Sequence, residues 1–306
     1  MSGRSAALST SDRPVAPAAY ALWRDRRGRI APLRVAVLAG LLFPLALAIG
    51  TYVLYGLGPR PLDNLVHRAG YWALLFLLIS LAITPLRFVG RFNQVHDVRR
   101  MIGVGAFAYA SAHILLFVAD EDFAILHVIG EIFSRIYLII GLTAFLGLAA
   151  LALTSTDGMV KRLGGVRWRR LHQLAYVIAI LALVHFFQQT KADIVLPILI
   201  AGLFTWLMGY RLLAWRLGGN GALNPTWLLV LAIAVSVLTF LGEAVGLSLV
   251  FPVTPGRVLQ AALSLQAGIR PGWIVLAAGL AVVALDLARR HRSTRLQAAR
   301  PVAGRA

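Results

Sequence analysis

Cysteine is absent from the 306 residues of this chain. Its absence excludes disulfides, thiolate metal sites and iron–sulfur clusters, so any metal would be held by His, carboxylate, Met or a prosthetic group. Catalytic motifs are also missing, since no Ser/His/Asp arrangement and no HExxH sequence occurs. Gly103 and Gly105 follow no strand pattern, so we interpret them as helix-packing glycines rather than a dinucleotide loop.

Charged residues make up only 14% of the chain, and hydrophobic residues are correspondingly abundant. They make up 59% of the chain, compared with about 45–50% in soluble domains. The mean hydropathy is +0.78. Long apolar runs, rather than short alternating strands, favour helices over a barrel. The sequence therefore predicts an all-α integral membrane protein with eight spans: 35–57 (a retained signal anchor), 69–86, 101–119, 137–154, 168–188, 194–216, 226–250 and 273–288.

The positive charge predicts how the chain crosses the membrane. With both termini in the cytoplasm, 24 Lys and Arg residues lie on the inner face and 6 on the outer face. This distribution also explains the net charge of +18 through topology and contact with anionic lipid, without nucleic acid. The basic ends, 1–34 and 289–306, are expected to be cytoplasmic tails, largely disordered. "Inner" and "outer" below follow this orientation.

Two connecting segments are expected to contain short helices. The outer loop after the third span carries four acidic residues, and its stretch FAILHVIGEIF (123–133) has helical spacing of apolar residues. We expect this stretch to lie along the membrane surface. Between the last two spans, prolines at 252, 255 and 271 bound a loop that has room for a short interfacial helix.

Three histidines lie within predicted spans: His113, His172 and His185. An ionisable side chain inside the bilayer costs a few kcal/mol, so function is the default hypothesis, although a neutral His bonded to a neighbouring helix is the structural alternative. The other histidines are predicted to be solvated or interfacial. They lie in loops or in the C-terminal tail, at His67, His96, His127 and His291.

Depth distinguishes the three span histidines. His113 and His185 lie on helices that run in the same direction, and both fall in the outer half of the membrane. Two imidazoles at one level can hold a haem iron between two helices, and a b-type haem needs no CxxCH attachment. The two residues are therefore candidate axial ligands.

His172 lies about 20 Å along its helix from His185, near the inner surface. That separation suits a second haem, but no span offers another histidine at this level. Arg99, Arg100 and Gln173 are candidate contacts of an inner haem or its propionates, and His96 could fold in from its loop. Thirteen residues turn an ideal helix so that His172 and His185 point about 140° apart, so both can face the interior only if the helix is central or distorted.

Four stretches of the sequence resemble a known family: YWALLFLLISLAITPLR (71–87), RRMIGVGAFAYASAHILLF (99–117), GLTAFLGLAALALTS (141–155) and RWRRLHQLAYVIAILALVHFF (167–187). They are similar to the haem-binding membrane subunits of bacterial periplasmic methionine-sulfoxide reductase systems, the MsrQ (YedZ) family of ferric-reductase-like proteins. The similarity covers about residues 60–215. It implies a six-helix haem core at 35–216, which leaves 217–288 as two additional spans.

The resemblance also implies a function in the bacterial inner membrane. It implies that His113, His172 and His185 bind one or two haem b groups. It further implies that electrons pass from the quinone pool or a cytosolic flavin reductase, with FMN as a further cofactor, to a periplasmic molybdopterin-containing sulfoxide reductase subunit. On this hypothesis the chain is an electron-transfer subunit rather than the catalytic one.

Two other functions remain open on the sequence. A ferric reductase would need a separate cytosolic reductase, because the chain has no glycine-rich βαβ nucleotide-binding segment. A non-redox membrane transporter would be expected to show paired broken helices and internal repeats, and the sequence shows no such repeat.

Overall fold

A computed structural model of the chain describes residues 23–24, 29–56, 58–90, 92, 96–190, 193–217, 222–265 and 268–298. Within these ranges, the side chains of 96–97 and 293–298 are left undescribed. Most of the predicted N-terminal tail therefore lies outside the described residues, as does the side chain of His96.

The described residues contain eight helices that are long and apolar enough to cross a membrane, which confirms the predicted all-α membrane fold. Each lies within a few residues of a predicted span, although several extend further. They are α1 (Pro32–Tyr55), α2 (Pro61–Gly90), α3 (His96–Asp120), α5 (Ile136–Leu153), the interrupted pair α7 (Gly165–His172) and α8 (Leu174–Gln189), α9 (Val195–Arg216), α10 (Pro225–Val250) and α12 (Pro271–Ala298).

Three short helices connect these spans. The predicted surface helix is present as α4 (Ile125–Ser134), and the predicted helix between the last two spans is α11 (Pro255–Leu263). A third, α6 (Asp157–Leu163), joins α5 to α7. Thr156 caps α6, since its side-chain oxygen accepts a hydrogen bond from the Met159 amide at 3.2 Å.

Several sequence predictions were wrong about where helices begin and end. His67 lies in the second turn of α2, and His96 begins α3, so neither is in a loop. Pro61 can begin α2 without losing a helical hydrogen bond, and Asp63 in the first turn suits the helix dipole. At the other end of the chain, α12 continues to Ala298, well past the predicted end of the span at 288. An ion pair one helical turn apart, Asp286–Arg290 at 2.7 Å, supports this extension.

The centre of the molecule is α2, which packs most extensively against α3 and also touches α8, α9 and α12. The other close pair in this part is α5 with α8. The first span is peripheral, with Pro44 as its only buried residue. It is tied to α3 by the Tyr109 hydroxyl, which donates to the Leu41 carbonyl at 2.7 Å. Gly105 faces Leu41 at this crossing, which confirms its interpretation as a packing glycine.

The last two spans pack on α9 rather than standing apart. A Cβ added at Gly202 would lie 2.6 Å from Thr239 Oγ1, and one at Gly279 would lie 2.5 Å from the Ala232 Cβ. Small residues therefore let α9, α10 and α12 approach closely, as is usual where helices meet in lipid. Near the outer end of this group, the fully buried Glu243 carboxylate forms an ion pair with Arg270.

Candidate functional site

His113 is positioned by the helix that precedes its own. Its Nδ1 lies 2.7 Å from the Val66 carbonyl oxygen of α2. A carbonyl can only accept, so Nδ1 carries the proton and donates it. The ring also rests on Gly70 of α2, where a Cβ would lie 3.0 Å from Nδ1. The result is a half-buried neutral imidazole whose Nε2 lone pair is available.

His185 is held in the same way by a different helix. Its Nδ1 donates to the Tyr137 carbonyl oxygen of α5 at 2.7 Å. The ring rests on Gly141 of α5, where a Cβ would lie 2.8 Å from Nδ1. Each histidine therefore has a seat made of one backbone carbonyl and one glycine. A bond from Nδ1 to a carbonyl is the usual way in which a metal-binding imidazole is oriented and made more basic.

The two seats bring the rings together. The ring centres of His113 and His185 lie 6.2 Å apart, and the ring planes are 79° from parallel. A metal ion bound by both Nε2 atoms, at about 2 Å from each, would place the ring centres about 6 Å apart. The observed separation therefore fits two axial ligands of one metal ion. Across the described residues, no group of three or more His, Cys, Asp or Glu side chains lies together as a metal-binding cluster. A pair of imidazoles is a ligand set that a haem iron accepts.

The sequence did not reveal the seats themselves. Every residue has a backbone carbonyl, so nothing in the sequence could have identified those of Val66 and Tyr137 as hydrogen-bond acceptors. Gly70 and Gly141 offered a weak signal, because a glycine inside a span often marks a close approach. A second missed feature is the contact of His67 with Gln189, whose Nε2 atoms lie 3.2 Å apart. It joins α2 to α8, immediately outward of the histidine pair.

His172 has a different environment. Its Nδ1 lies 3.1 Å from the Trp168 carbonyl oxygen of its own helix, and its ring stacks on Trp168 with 3.9 Å between centres. Its Nε2 lies 3.3 Å from the Ser155 hydroxyl, which also donates to the Leu151 carbonyl at 2.7 Å. A hydroxyl has one proton, and the shorter contact takes it. His172 Nε2 is thus left as an acceptor, with the Ser155 hydroxyl and the Leu151 carbonyl beside the ring.

The helix is interrupted directly after His172. Gln173 separates α7 from α8, and its amide donates to both the Arg169 and Arg170 carbonyls, at 3.2 and 3.1 Å. Bonds to both the third and the fourth preceding carbonyls mark a local tightening of the helix at Gln173. The side chain of Gln173 itself is exposed.

Arg99 and Arg100 occupy different environments on α3. Arg99 is half-buried and interacts electrostatically with His172, Tyr176 and Arg211. Arg100 is exposed and forms an ion pair with Asp157 at 2.5 Å.

Arg211 is a further missed residue on this inner side. It lies within α9, and its guanidinium donates to the Leu81 and Leu207 carbonyls at 2.5 and 2.8 Å while covering the Tyr176 ring at 5.4 Å. It thereby joins α9 to α2 and α8.

Residues 69–183 match the family model described as ferric reductase like transmembrane component. These residues include His113 and His172. The third candidate, His185, lies two positions beyond the end of the match. No solved structure matches the chain.

Several relatives are named as the heme-binding subunit MsrQ of protein-methionine-sulfoxide reductase. The protein from Rhodospirillum rubrum is 40% identical over 190 residues, which cover 62% of this chain and 89% of the relative. The protein from Herminiimonas arsenicoxydans is 39% identical over 56% of this chain and 80% of its own length. The protein from Xanthomonas euvesicatoria is 44% identical over 51% of this chain and 71% of its own length. This chain is longer than each of them.

Proposed function

Because the chain belongs to the MsrQ family of ferric-reductase-like membrane proteins, we propose that it is a haem-binding electron-transfer subunit of the bacterial inner membrane. The observation that carries the proposal is the His113–His185 pair, with ring centres 6.2 Å apart and both Nδ1 atoms engaged by backbone carbonyls. An electron carrier inside lipid needs a metal site of this kind, with its ligands oriented by neighbouring helices.

The chain's own groups hold the haem ligands in place. Val66 and Tyr137 accept the Nδ1 protons, which keeps both Nε2 lone pairs directed away from those helices. Gly70 and Gly141 allow the rings to lie against the backbone. A bound haem supplies the one-electron change between ferric and ferrous iron. The chain has no cysteine for thioether attachment, which supports haem b.

The direction of electron flow follows from the predicted orientation. His113 and His185 lie in the outer half of the membrane, and His172 lies near the inner surface. We propose that electrons enter on the inner side, from quinol or from a cytosolic flavin reductase with FMN, and leave on the outer side. The acceptor is a periplasmic molybdopterin-containing sulfoxide reductase subunit. The names of the relatives, as subunits of a methionine-sulfoxide reductase, support this choice.

The six-helix part, 35–216, is the proposed haem-binding unit, and 217–288 is an addition packed on it. All three candidate histidines and Arg99 lie in the first part. The family-model match over residues 69–183 lies within the first part and supports this division.

The test is the absorption spectrum of the full chain, purified in detergent after haem-replete expression. We expect a b-type spectrum, and pyridine haemochrome quantification should give at least one haem per chain. A colourless protein would contradict the proposal. Purification of the native complex should bring a molybdenum-containing partner, whereas a flavin- and nicotinamide-binding partner acting on ferric iron would support the ferric reductase alternative. That alternative rests on the description of the matching family model.

A further inference from the structure

The two short helices α6 and α7, which lead into the fifth span from the inner side, present a strongly basic surface. Residues 157–172 contain five basic residues and one acidic residue. All five basic side chains are exposed, and together they are called the inner basic surface here: Lys161, Arg162, Arg167, Arg169 and Arg170.

The charge of the inner basic surface is not balanced by acidic neighbours. Asp157, the acidic residue of the same stretch, pairs with Arg100 of α3 at 2.5 Å. None of the five basic side chains forms an ion pair with a described acidic side chain. Four of them are arginines, whose planar fork of N–H groups can hold a carboxylate through two hydrogen bonds. The surface is therefore complementary to a partner rich in carboxylates.

Contacts with the core fix the position of this surface. The Arg100–Asp157 pair joins α6 to α3, and the Trp168 Nε1 of α7 donates to the Thr154 carbonyl at the end of α5 at 2.9 Å. The Trp168 ring also stacks on His172 with 3.9 Å between centres. A molecule bound to the inner basic surface would therefore lie beside the inner end of the proposed electron-transfer core.

Anionic lipid also attracts exposed cations, but the apolar residues of α6 favour a partner in the cytoplasm. A helix that lies in the membrane surface buries an apolar face in lipid. The outer helix α4 fits that description, since Leu126 is 86% exposed and Phe133 is 71% exposed. In α6 and α7, which are described throughout, Val166 is the one large apolar side chain that is exposed. The apolar residues of α6 are half-buried in the protein: Met159, Val160 and Leu163.

We propose that the inner basic surface docks the electron donor, and that this donor is a soluble flavoprotein with an acidic surface rather than quinol. The inference rests on the proposed function and chooses between the two donors that it leaves open. In each transfer the reduced flavoprotein loses one electron and a ferric haem iron gains it. Opposite charges speed such an encounter roughly 10- to 1,000-fold, and salt screens the effect, whereas a neutral quinol gains nothing from a charged surface.

The first experiment measures how salt changes the rate of haem reduction. The probe is flavodoxin, a small acidic flavoprotein, which is photoreduced and mixed anaerobically with the ferric full chain in uncharged detergent. We expect the second-order rate constant to fall about tenfold or more between ~10 mM and ~1 M salt, as the Debye length shortens from about 30 Å to about 3 Å. Duroquinol, a neutral donor, provides the control, and its rate constant should not respond to salt.

The second experiment removes part of the charge. The triple substitution Lys161→Gln, Arg162→Gln and Arg167→Gln should lower the rate constant for flavodoxin about tenfold at low salt and remove most of its salt dependence. The rate constant for duroquinol should stay unchanged. Haem content, measured by pyridine haemochrome, shows whether the variant has folded. If it has not, the salt dependence of the unaltered chain still decides the question.

The matched control neutralises three other exposed arginines at the inner ends of α2, α9 and α12, and it should leave both rate constants unchanged. Its substitutions are Arg87→Gln, Arg216→Gln and Arg292→Gln. An equal loss of rate in this control would mean that the overall positive charge attracts flavodoxin, and docking at the inner basic surface would be wrong.

Two further results would overturn the inference while the proposed function stands. One is a flavodoxin rate constant that neither salt nor the first triple substitution changes. The other is a first triple variant that keeps its rate but retains fewer phosphatidylglycerol molecules in native mass spectrometry, which would assign the surface to lipid. A colourless chain would overturn both the inference and the proposed function.

Discussion

The outer and inner histidine sites use the same bond in two different ways. In each, a backbone carbonyl takes the Nδ1 proton and leaves Nε2 open. At the outer site the carbonyls belong to neighbouring helices, Val66 of α2 and Tyr137 of α5, so ring orientation depends on tertiary packing. At the inner site the carbonyl of Trp168 lies one turn back on the same helix. The outer pair is thus assembled by four helices, and His172 is oriented by one.

The charges around the two sites differ as well. Among the described residues the outer pair has no ion pair of its own, and His67, which contacts Gln189, interacts electrostatically with both histidines. The inner histidine has Arg99 and Arg100 acting on it. Positive charge near a haem changes its reduction potential and favours negatively charged ligands and electron donors. Contacts from neighbouring helices therefore distinguish the outer site, and charge distinguishes the inner one.

The largest expected effect is loss of the outer haem when either of its ligands is removed. We expect His113→Ala and His185→Ala each to abolish the low-spin component, because one imidazole cannot replace the other across a distance set by four helices. Haem content should fall by one per chain, measured by pyridine haemochrome and electron paramagnetic resonance.

His67→Ala is the matched control for this loss. Its Nδ1 also lies 2.7 Å from a backbone carbonyl, that of Asp63, but its Nε2 contacts Gln189 and it is 44% exposed. It should keep the low-spin haem. An unchanged low-spin signal in either ligand variant would show that the pairing of His113 with His185 is wrong.

A smaller and graded effect is expected from filling the glycine seats. Gly141→Ala places a Cβ 2.8 Å from His185 Nδ1, and Gly70→Ala places one 3.0 Å from His113 Nδ1. Alanine favours a helix by about 1 kcal/mol over glycine, so loss of haem would reflect the displaced ring rather than a weaker helix. We expect lower haem occupancy and a shifted low-spin spectrum in both variants, with the larger change in Gly141→Ala.

Gly40→Ala and Gly50→Ala provide controls in α1, since a Cβ at either position meets nothing within 4 Å. Both should match the unaltered chain in haem content. Equal effects of all four substitutions would mean that the seats do not determine ring position, and the contrast between a packed outer site and a local inner one would fail.

The fold was predictable because its determinants are local. Apolar runs long enough to cross a membrane and a one-sided distribution of Lys and Arg can both be counted directly in the sequence. They were enough to predict eight spans. The ends were less predictable. The last span outruns its apolar stretch because Asp286 and Arg290 pair one turn apart, and α2 begins at Pro61 in a polar segment that includes His67.

The site was predictable only in part, for a similar reason. His113 and His185 could be paired because depth along a helix is a matter of counting residues. The carbonyl and glycine contacts that orient the two rings depend on which helices are neighbours. Counting residues along one helix does not predict its neighbours. Arg99 and Arg100 could be named as candidates on the inner side, but the ion pair of Arg100 with Asp157 depends on tertiary packing and could not be counted.

The smallest expected effect concerns the hydroxyl beside the inner histidine. Ser155→Ala removes a group 3.3 Å from His172 Nε2, but its proton already goes to the Leu151 carbonyl at 2.7 Å. We expect the haem content of the chain, measured by pyridine haemochrome, to stay within about twofold of that of the unaltered chain, or roughly 0.4 kcal/mol. Thr143→Ala is the control, because its hydroxyl makes the same kind of bond within α5, to the Ile139 carbonyl at 2.8 Å, away from His172.

If Ser155 did donate to Nε2, it would compete with the iron for that lone pair. Its removal would then raise haem occupancy by the worth of a hydrogen bond, about 1 kcal/mol or roughly fivefold. A gain of that size, absent from Thr143→Ala, would show that the Nε2 of His172 is not open as the comparison between the two sites requires.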